Sequence, residues 1–124
     1  MLGKGKKDDL ENQEIKSILA EGLRVEGNVK AQGKIRIDGQ ITGDVEGEFI
    51  LFGKSASVKG NVSAKKVVLM GTVEGDLIVD SLELKSTARV KGNLTVKELT
   101  VEPGASMEGS VRSGSFLSQS SKEK

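Results

Sequence analysis

The sequence predicts an all-β fold, a right-handed, three-sided parallel β-helix of about six coils with disordered tails at both ends. Three observations carry that expectation. A tripeptide recurs as Gly27-Asn28-Val29, Gly43-Asp44-Val45, Gly60-Asn61-Val62, Gly75-Asp76-Leu77, Gly92-Asn93-Leu94 and Gly109-Ser110-Val111, at spacings of 16, 17, 15, 17 and 17 residues. A period of about 16 residues is too short for a helical hairpin, since helix-pair repeats need roughly 33 residues or more, and suits a β-solenoid coil. Apolar residues fall into alternating columns when the copies are aligned, and the polar segments before and after the repeats lack such columns.

Each unit supplies three short strands. The first carries an apolar residue two places before the glycine, namely Val25, Ile41, Val58, Val73, Val90 and Met107. The second starts at the aliphatic residue of the tripeptide and continues at strand spacing, as in Val62 and Ala64, Leu77 and Val79, Leu94 and Val96. The third shows the pairs Ile35 and Ile37, Val67 and Leu69, Leu82 and Leu84, and Leu99 and Val101. Three strands in so few residues leave one to three residues per corner, which explains why glycine and Asn/Asp gather there. Pro103-Gly104 fills a corner of the last unit, where the proline pre-sets a turn instead of costing a sheet its donor. Parallel β connections are overwhelmingly right-handed, which gives the expected hand.

The boundaries follow from composition. Residues 1–21 read as a flexible N-terminal tail, residues 22–112 as the β-helix, and residues 113–124, rich in serine, as a disordered C-terminal tail. The outer columns are mixed in charge. Glu26, Thr42, Lys59, Glu74, Lys91 and Glu108 precede the six glycines, and from Lys59 onward the sign alternates, which would discourage slips in coil register.

Composition narrows the function. Of 124 residues 35% are apolar and 30% charged, the net charge is +1, and the aromatic residues are three phenylalanines. No basic field or stacking platform suits nucleic acid. The chain has no histidine and no cysteine, so it lacks the commonest general base, thiol chemistry and every zinc ligand except carboxylate. Asp38, Asp44 and Asp76 lie outside any dense oxygen-ligand loop of the kind calcium requires. An enzyme, a metal and a cofactor are therefore not expected. Neither a signal-peptide core nor a run of about 20 apolar residues is present, so a cytoplasmic protein is expected.

A β-solenoid leaves unpaired backbone and apolar cross-sections at both ends unless polar caps block them. No cap is evident in the repeats. Leu23 and Val25 at the start, and Leu99, Val101, Ala105, Met107 and Val111 in the last unit, are the expected self-association residues. The alternative is a non-polymerising β-solenoid binding module that holds a partner on its flat faces or tails.

The phrases VEGNVKAQGKIRIDGQITGDVEG and ASVKGNVSAKKVVLMGTVEGDL resemble the bactofilins, a family of bacterial polymer-forming cytoskeletal proteins. The likeness spans roughly residues 18 to 111 and rests on the period, the Gly-Asn/Asp-Val phrase and the flanking polar tails together. It implies a right-handed β-helix that assembles end to end, without nucleotide, into filaments at the inner face of the cell membrane. It also implies a scaffold that positions cell-wall enzymes or shapes the cell. The start of the chain, with Met1 and Leu2 followed by Lys4, Lys6 and Lys7, resembles the short membrane-targeting segment of many bactofilins. Leu2 stands where many members have a bulkier aromatic residue.

Overall fold

The computed structural model describes residues 15–113, and every element in it is a β-strand. Strand β1 (Ile15–Leu19) precedes the first full coil, which holds β2 (Arg24–Glu26), β3 (Val29–Lys30) and β4 (Lys34–Ile37). The second coil holds β5 (Gln40–Thr42), β6 (Val45–Glu46) and β7 (Phe49–Phe52). The third has β8 (Ser57–Lys59) and β9 (Val62–Leu69), and the fourth β10 (Thr72–Glu74) and β11 (Leu77–Leu84). The fifth has β12 (Arg89–Lys91) and β13 (Leu94–Val101), and the last β14 (Ser106–Glu108) and β15 (Val111–Ser113).

All pairings are parallel, each strand lying on its counterpart one coil away. The first face is a six-stranded sheet in the order β14-β12-β10-β8-β5-β2. The other two faces share one nine-stranded sheet. They are continuous because β9, β11 and β13 each turn the second corner without ending, the ladder skipping Lys65, Asp80 and Lys97 at the bend. The expected three separate strands per coil are thus found in the first two coils and merge into two in the next three. Gly33, at φ +77, breaks the extended run in the first coil, whereas Lys65, Asp80 and Lys97 put no glycine at that corner.

The inward columns close into one dry core. Ile41, Val58, Val73 and Val90 from the first face meet Val45, Val62, Leu77 and Leu94 from the second. Ile35, Ile37, Ile50, Phe52, Val67, Leu69, Leu82 and Leu84 close it from the third. No polar or charged residue is buried among the described residues, so rungs of aliphatic side chains stabilise the fold through area removed from water.

Two corners show why the chain turns where it does. Between the third and first faces, Ala56 donates its N–H to the Gly53 carbonyl at 3.0 Å, Ala88 to Lys85 at 2.9 Å and Ala105 to Glu102 at 3.2 Å. These are β-turns whose last residue points inward, and a methyl group is all the space admits: Ala56 and Ala88 are buried. Glu102-Pro103-Gly104-Ala105 places proline second and glycine third, with Gly104 at φ +100, the type II pattern. At the corner between the first and second faces, the tripeptide glycines stack one on another.

The tail boundary expected at residue 21 moves. Ile15–Leu19 pairs in parallel with β4, Leu19 beside Ile37, so this segment belongs to the solenoid. Its alternation was hidden because the ladder is irregular between Ile15 and Ser17. Met1, Leu2, Lys4, Lys6 and Lys7, and residues 114–124 of the C-terminal tail, lie outside the described residues.

Candidate functional site: the ends of the solenoid

The corner after the first face decides how coils stack. Gly43, Gly60, Gly75 and Gly92 have φ between +146 and +151, and a Cβ on any of them would run into the carbonyl oxygen of the glycine one coil before. Their N–H groups donate the other way: Gly43 to Lys59, Gly60 to Glu74, Gly75 to Lys91 and Gly92 to Glu108, at 2.8 to 2.9 Å. Beside them runs a ladder that the sequence showed only as an alternation of Asn and Asp. Asn28 Oδ1 accepts from the N–H of Asp44, Asp44 from Asn61, Asn61 from Asp76, and Asp76 from Asn93, at 3.0 to 3.1 Å. Asn93 Oδ1 accepts from both the N–H and the hydroxyl of Ser110, the latter at 2.8 Å. Serine therefore closes the column as a polar partner.

Both ladders stop at the ends. At the start, the Cβ position of Gly27 meets nothing within 4 Å, although its φ of +133 matches the column. Among the described residues strand β2 pairs only with β5, Val25 and Val29 are half-buried, and Leu23 is 45% exposed. Leu23 occupies the turn position that Ala56 and Ala88 fill in later coils, so the first turn presents a large apolar side chain where the others tuck in a methyl group. At the far end, among the described residues, β14 pairs only with β12, and no described strand lies beyond Gly109 and Val111. Val101, Ala105 and Met107 are half-buried against the core, and Val111 is 42% exposed.

Of the residues expected at the ends, the structure brings Leu23 and Val25 together at one end. It brings Val101, Ala105, Met107 and Val111 together at the other. Leu99 differs. Its inward side chain is packed in the core and left only 3% exposed, although its segment of β13 is the last described rung of the third face.

The charged groups nearby are structural. Arg36 donates to both carboxylate oxygens of Asp38, at 2.7 and 3.3 Å, and the hydrogen bond to Asp38 raises the guanidinium pKa. Lys85 bridges Glu83 at 2.6 Å and Glu102 at 3.3 Å, and the hydrogen bond it donates to Glu83 raises its pKa above the ordinary value. Glu102 also accepts from the N–H of Ser86, tying the last two large turns together. Among the described residues no group of three or more Asp or Glu is placed to hold a metal ion. Nor, among the described residues, is any helix long and apolar enough to cross a membrane.

Comparison with known proteins agrees with this architecture. The bactofilin family model, described as polymer-forming cytoskeletal, matches residues 17–112. A cryo-EM reconstruction of Thermus thermophilus bactofilin double helical filaments is 34% identical, with a TM-score of 0.74 over 79% of this chain and 99% of that one. The solid-state NMR structure of the cytoskeletal bactofilin BacA is 33% identical, with a TM-score of 0.70 over 84% of this chain and 96% of that one. No curated protein matches. A repeat stacked on glycine and Asn/Asp ladders, a dry core and a family match over nearly all the coils lead to one conclusion: this chain belongs to the bactofilins.

Proposed function

We propose that this chain assembles end to end into nucleotide-independent filaments, wound in pairs as the Thermus thermophilus bactofilin filaments are. The reading rests on one observation above all: among the described residues, the end strands β2 and β14 pair on one side only, and half-buried apolar side chains lie beside them. Stacking a second copy there supplies backbone partners and removes apolar area from water, the same terms that hold interior coils together. The contact residues are Leu23 and Val25 at one end and Val101, Ala105, Met107 and Val111 at the other.

Met107 sits on the last rung of the first face, beside Val90. Met107→Arg sets an unpaired charge in this contact. Negative-stain microscopy of the purified chain is expected to show filaments without added nucleotide, and Met107→Arg is expected to leave short particles. Filaments that persist in the variant would contradict the interface.

The filament is further proposed to lie at the inner face of the cell membrane and to position cell-envelope enzymes. Met1, Leu2, Lys4, Lys6 and Lys7 would provide the attachment. Each lysine contributes about 1 kcal/mol near anionic lipid, marginal for one copy, but a polymer presents many tails at once. Deleting residues 2–7 is expected to abolish co-sedimentation with anionic vesicles and to spare polymerisation. Continued co-sedimentation would remove the tail from this role.

A further inference from the structure

The corner that joins β4 to β5 holds the one Asp-Gly pair of the chain, Asp38-Gly39. Packing fixes the glycine. It is buried beneath the preceding turn, and a Cβ there would run into the carbonyl oxygens of Leu23 and Ala20. The main chain on either side is tied to the neighbouring coils. Asp38 donates its N–H to the Leu19 carbonyl at 2.7 Å and Gln40 to that of Leu23 at 2.9 Å, while the Gly39 carbonyl accepts from Ser57 at 3.1 Å. A glycine after an aspartate is also the least hindered nucleophile that a peptide chain offers, because no side chain shields its nitrogen. The residue that the fold requires at this corner is thus the one that leaves the aspartate most open to attack by its own backbone.

The carboxylate is held in a different direction. Arg36 donates from Nε to Asp38 Oδ2 at 2.7 Å and from a second guanidinium nitrogen to Oδ1 at 3.3 Å, so both oxygens are engaged. Oδ1 leans across to the next coil and lies over Gly53, in the place that a Cβ would take. Two side-chain choices therefore make one seat: a guanidinium two residues back along β4, and a glycine one coil on that leaves room for the carboxylate.

We propose that Asp38-Gly39 is a latent site of backbone isomerisation, kept closed by Arg36 and by the open seat at Gly53. In the reaction the Gly39 nitrogen bonds to Asp38 Cγ, and one carboxyl oxygen leaves as water, taking the amide proton and the carboxyl proton, so that a succinimide ring closes. Solvent water then reopens the ring. Breaking the bond from nitrogen to Cγ restores aspartate, whereas breaking the bond from nitrogen to the α-carbonyl carbon leaves isoaspartate, whose main chain runs through Cβ and Cγ. No electrons are exchanged, and the product is an isomer of the same mass. Before the ring can close, the carboxylate must release both guanidinium hydrogen bonds, take up a proton and swing Cγ to the Gly39 nitrogen, against the ladder bonds of Asp38 and Gln40. The extra main-chain atom of isoaspartate would part Gln40 from Leu23 and loosen the turn at residues 20–23. Only the consequence for assembly, through Leu23, rests on the filament reading above.

Ageing the full chain at neutral pH in water enriched in heavy oxygen tests the assignment. Every passage through the ring leaves one heavy oxygen at residue 38, which peptide mass spectrometry reads whether aspartate or isoaspartate results. The folded wild type is expected to label roughly tenfold or more slowly than the same chain in concentrated guanidinium chloride. Arg36→Ala is expected to label residue 38 roughly threefold to tenfold faster than the folded wild type. Gly53→Ala, whose methyl group displaces the carboxylate, is expected to do the same. Asp80-Ser81, inside β11, serves as the reference for general unfolding, and its labelling is expected to stay at the wild-type rate. A wild type that labels as fast folded as unfolded, or an Arg36→Ala chain that labels like the wild type, overturns the proposal. So does a variant in which residues 38 and 80 accelerate together, which would assign the effect to lost stability. A chain that labels as expected but grows no polymer overturns the filament reading and leaves this one standing.

Discussion

At residue scale, the tripeptide glycine is where the backbone tolerates least change. Gly75 combines φ +147 with a Cβ position occupied by the Gly60 carbonyl oxygen, so alanine there is both strained and blocked. Gly27 has the same kind of φ but open space beside it. Strain alone costs on the order of 1–3 kcal/mol. Gly27→Ala is expected to lose about that much, and Gly75→Ala clearly more, when both are measured by urea unfolding; equal losses would mean that the stack of glycines contributes nothing. The recurrence of these glycines was plain in the sequence, and so were the inward valines and isoleucines that alternate with charged neighbours. Phe49-Ile50-Leu51-Phe52 was not. Four apolar residues in a row have no alternation, and only the lysines on the adjacent rungs show how Phe49 can be covered on the outer side while Ile50 and Phe52 point inward.

At the scale of the element, the Asn/Asp column is a ladder of acceptors, each oxygen serving the next coil. Its alternation also keeps carboxylates off adjacent rungs. Asn61→Asp keeps an acceptor for the Asp76 N–H but stacks three carboxylates on consecutive rungs about 4.8 Å apart. It is expected to cost about 1 kcal/mol at low salt and less at high salt. Asn61→Ala loses the acceptor outright, a loss of about 0.5–1.5 kcal/mol that salt does not relieve. Unfolding at two ionic strengths separates the two effects. The charged column before the glycines is weaker. Lys59, Glu74, Lys91 and Glu108 sit on successive rungs of one sheet, yet none of the ion pairs within 4.0 Å joins them among the described residues. Strand count was the least legible quantity at this scale, because whether a corner breaks a strand depends on one backbone conformation, such as that of Gly33, and not on the apolar pattern.

For the whole molecule, the period gave the axis and the faces, since each follows from stacking one unit on the next. Which apolar residues reach the ends of the solenoid was only partly legible. Leu99 and Val101 read alike as an alternating pair, but Leu99 lies in the core and Val101 is half-buried at its margin, a difference the alternation does not encode. A further consequence comes from the fourth and fifth coils, whose strands match residue for residue with no offset on any face. Because each unit touches only its neighbours, a spare copy of residues 75–91 spliced in after residue 91 should slot in as one more storey. Fibre diffraction or cryo-EM of polymers built from that longer chain should show the axial repeat grown by about 4.8 Å for every subunit it contains. The protein would then serve as a molecular ruler whose graduations can be added one at a time.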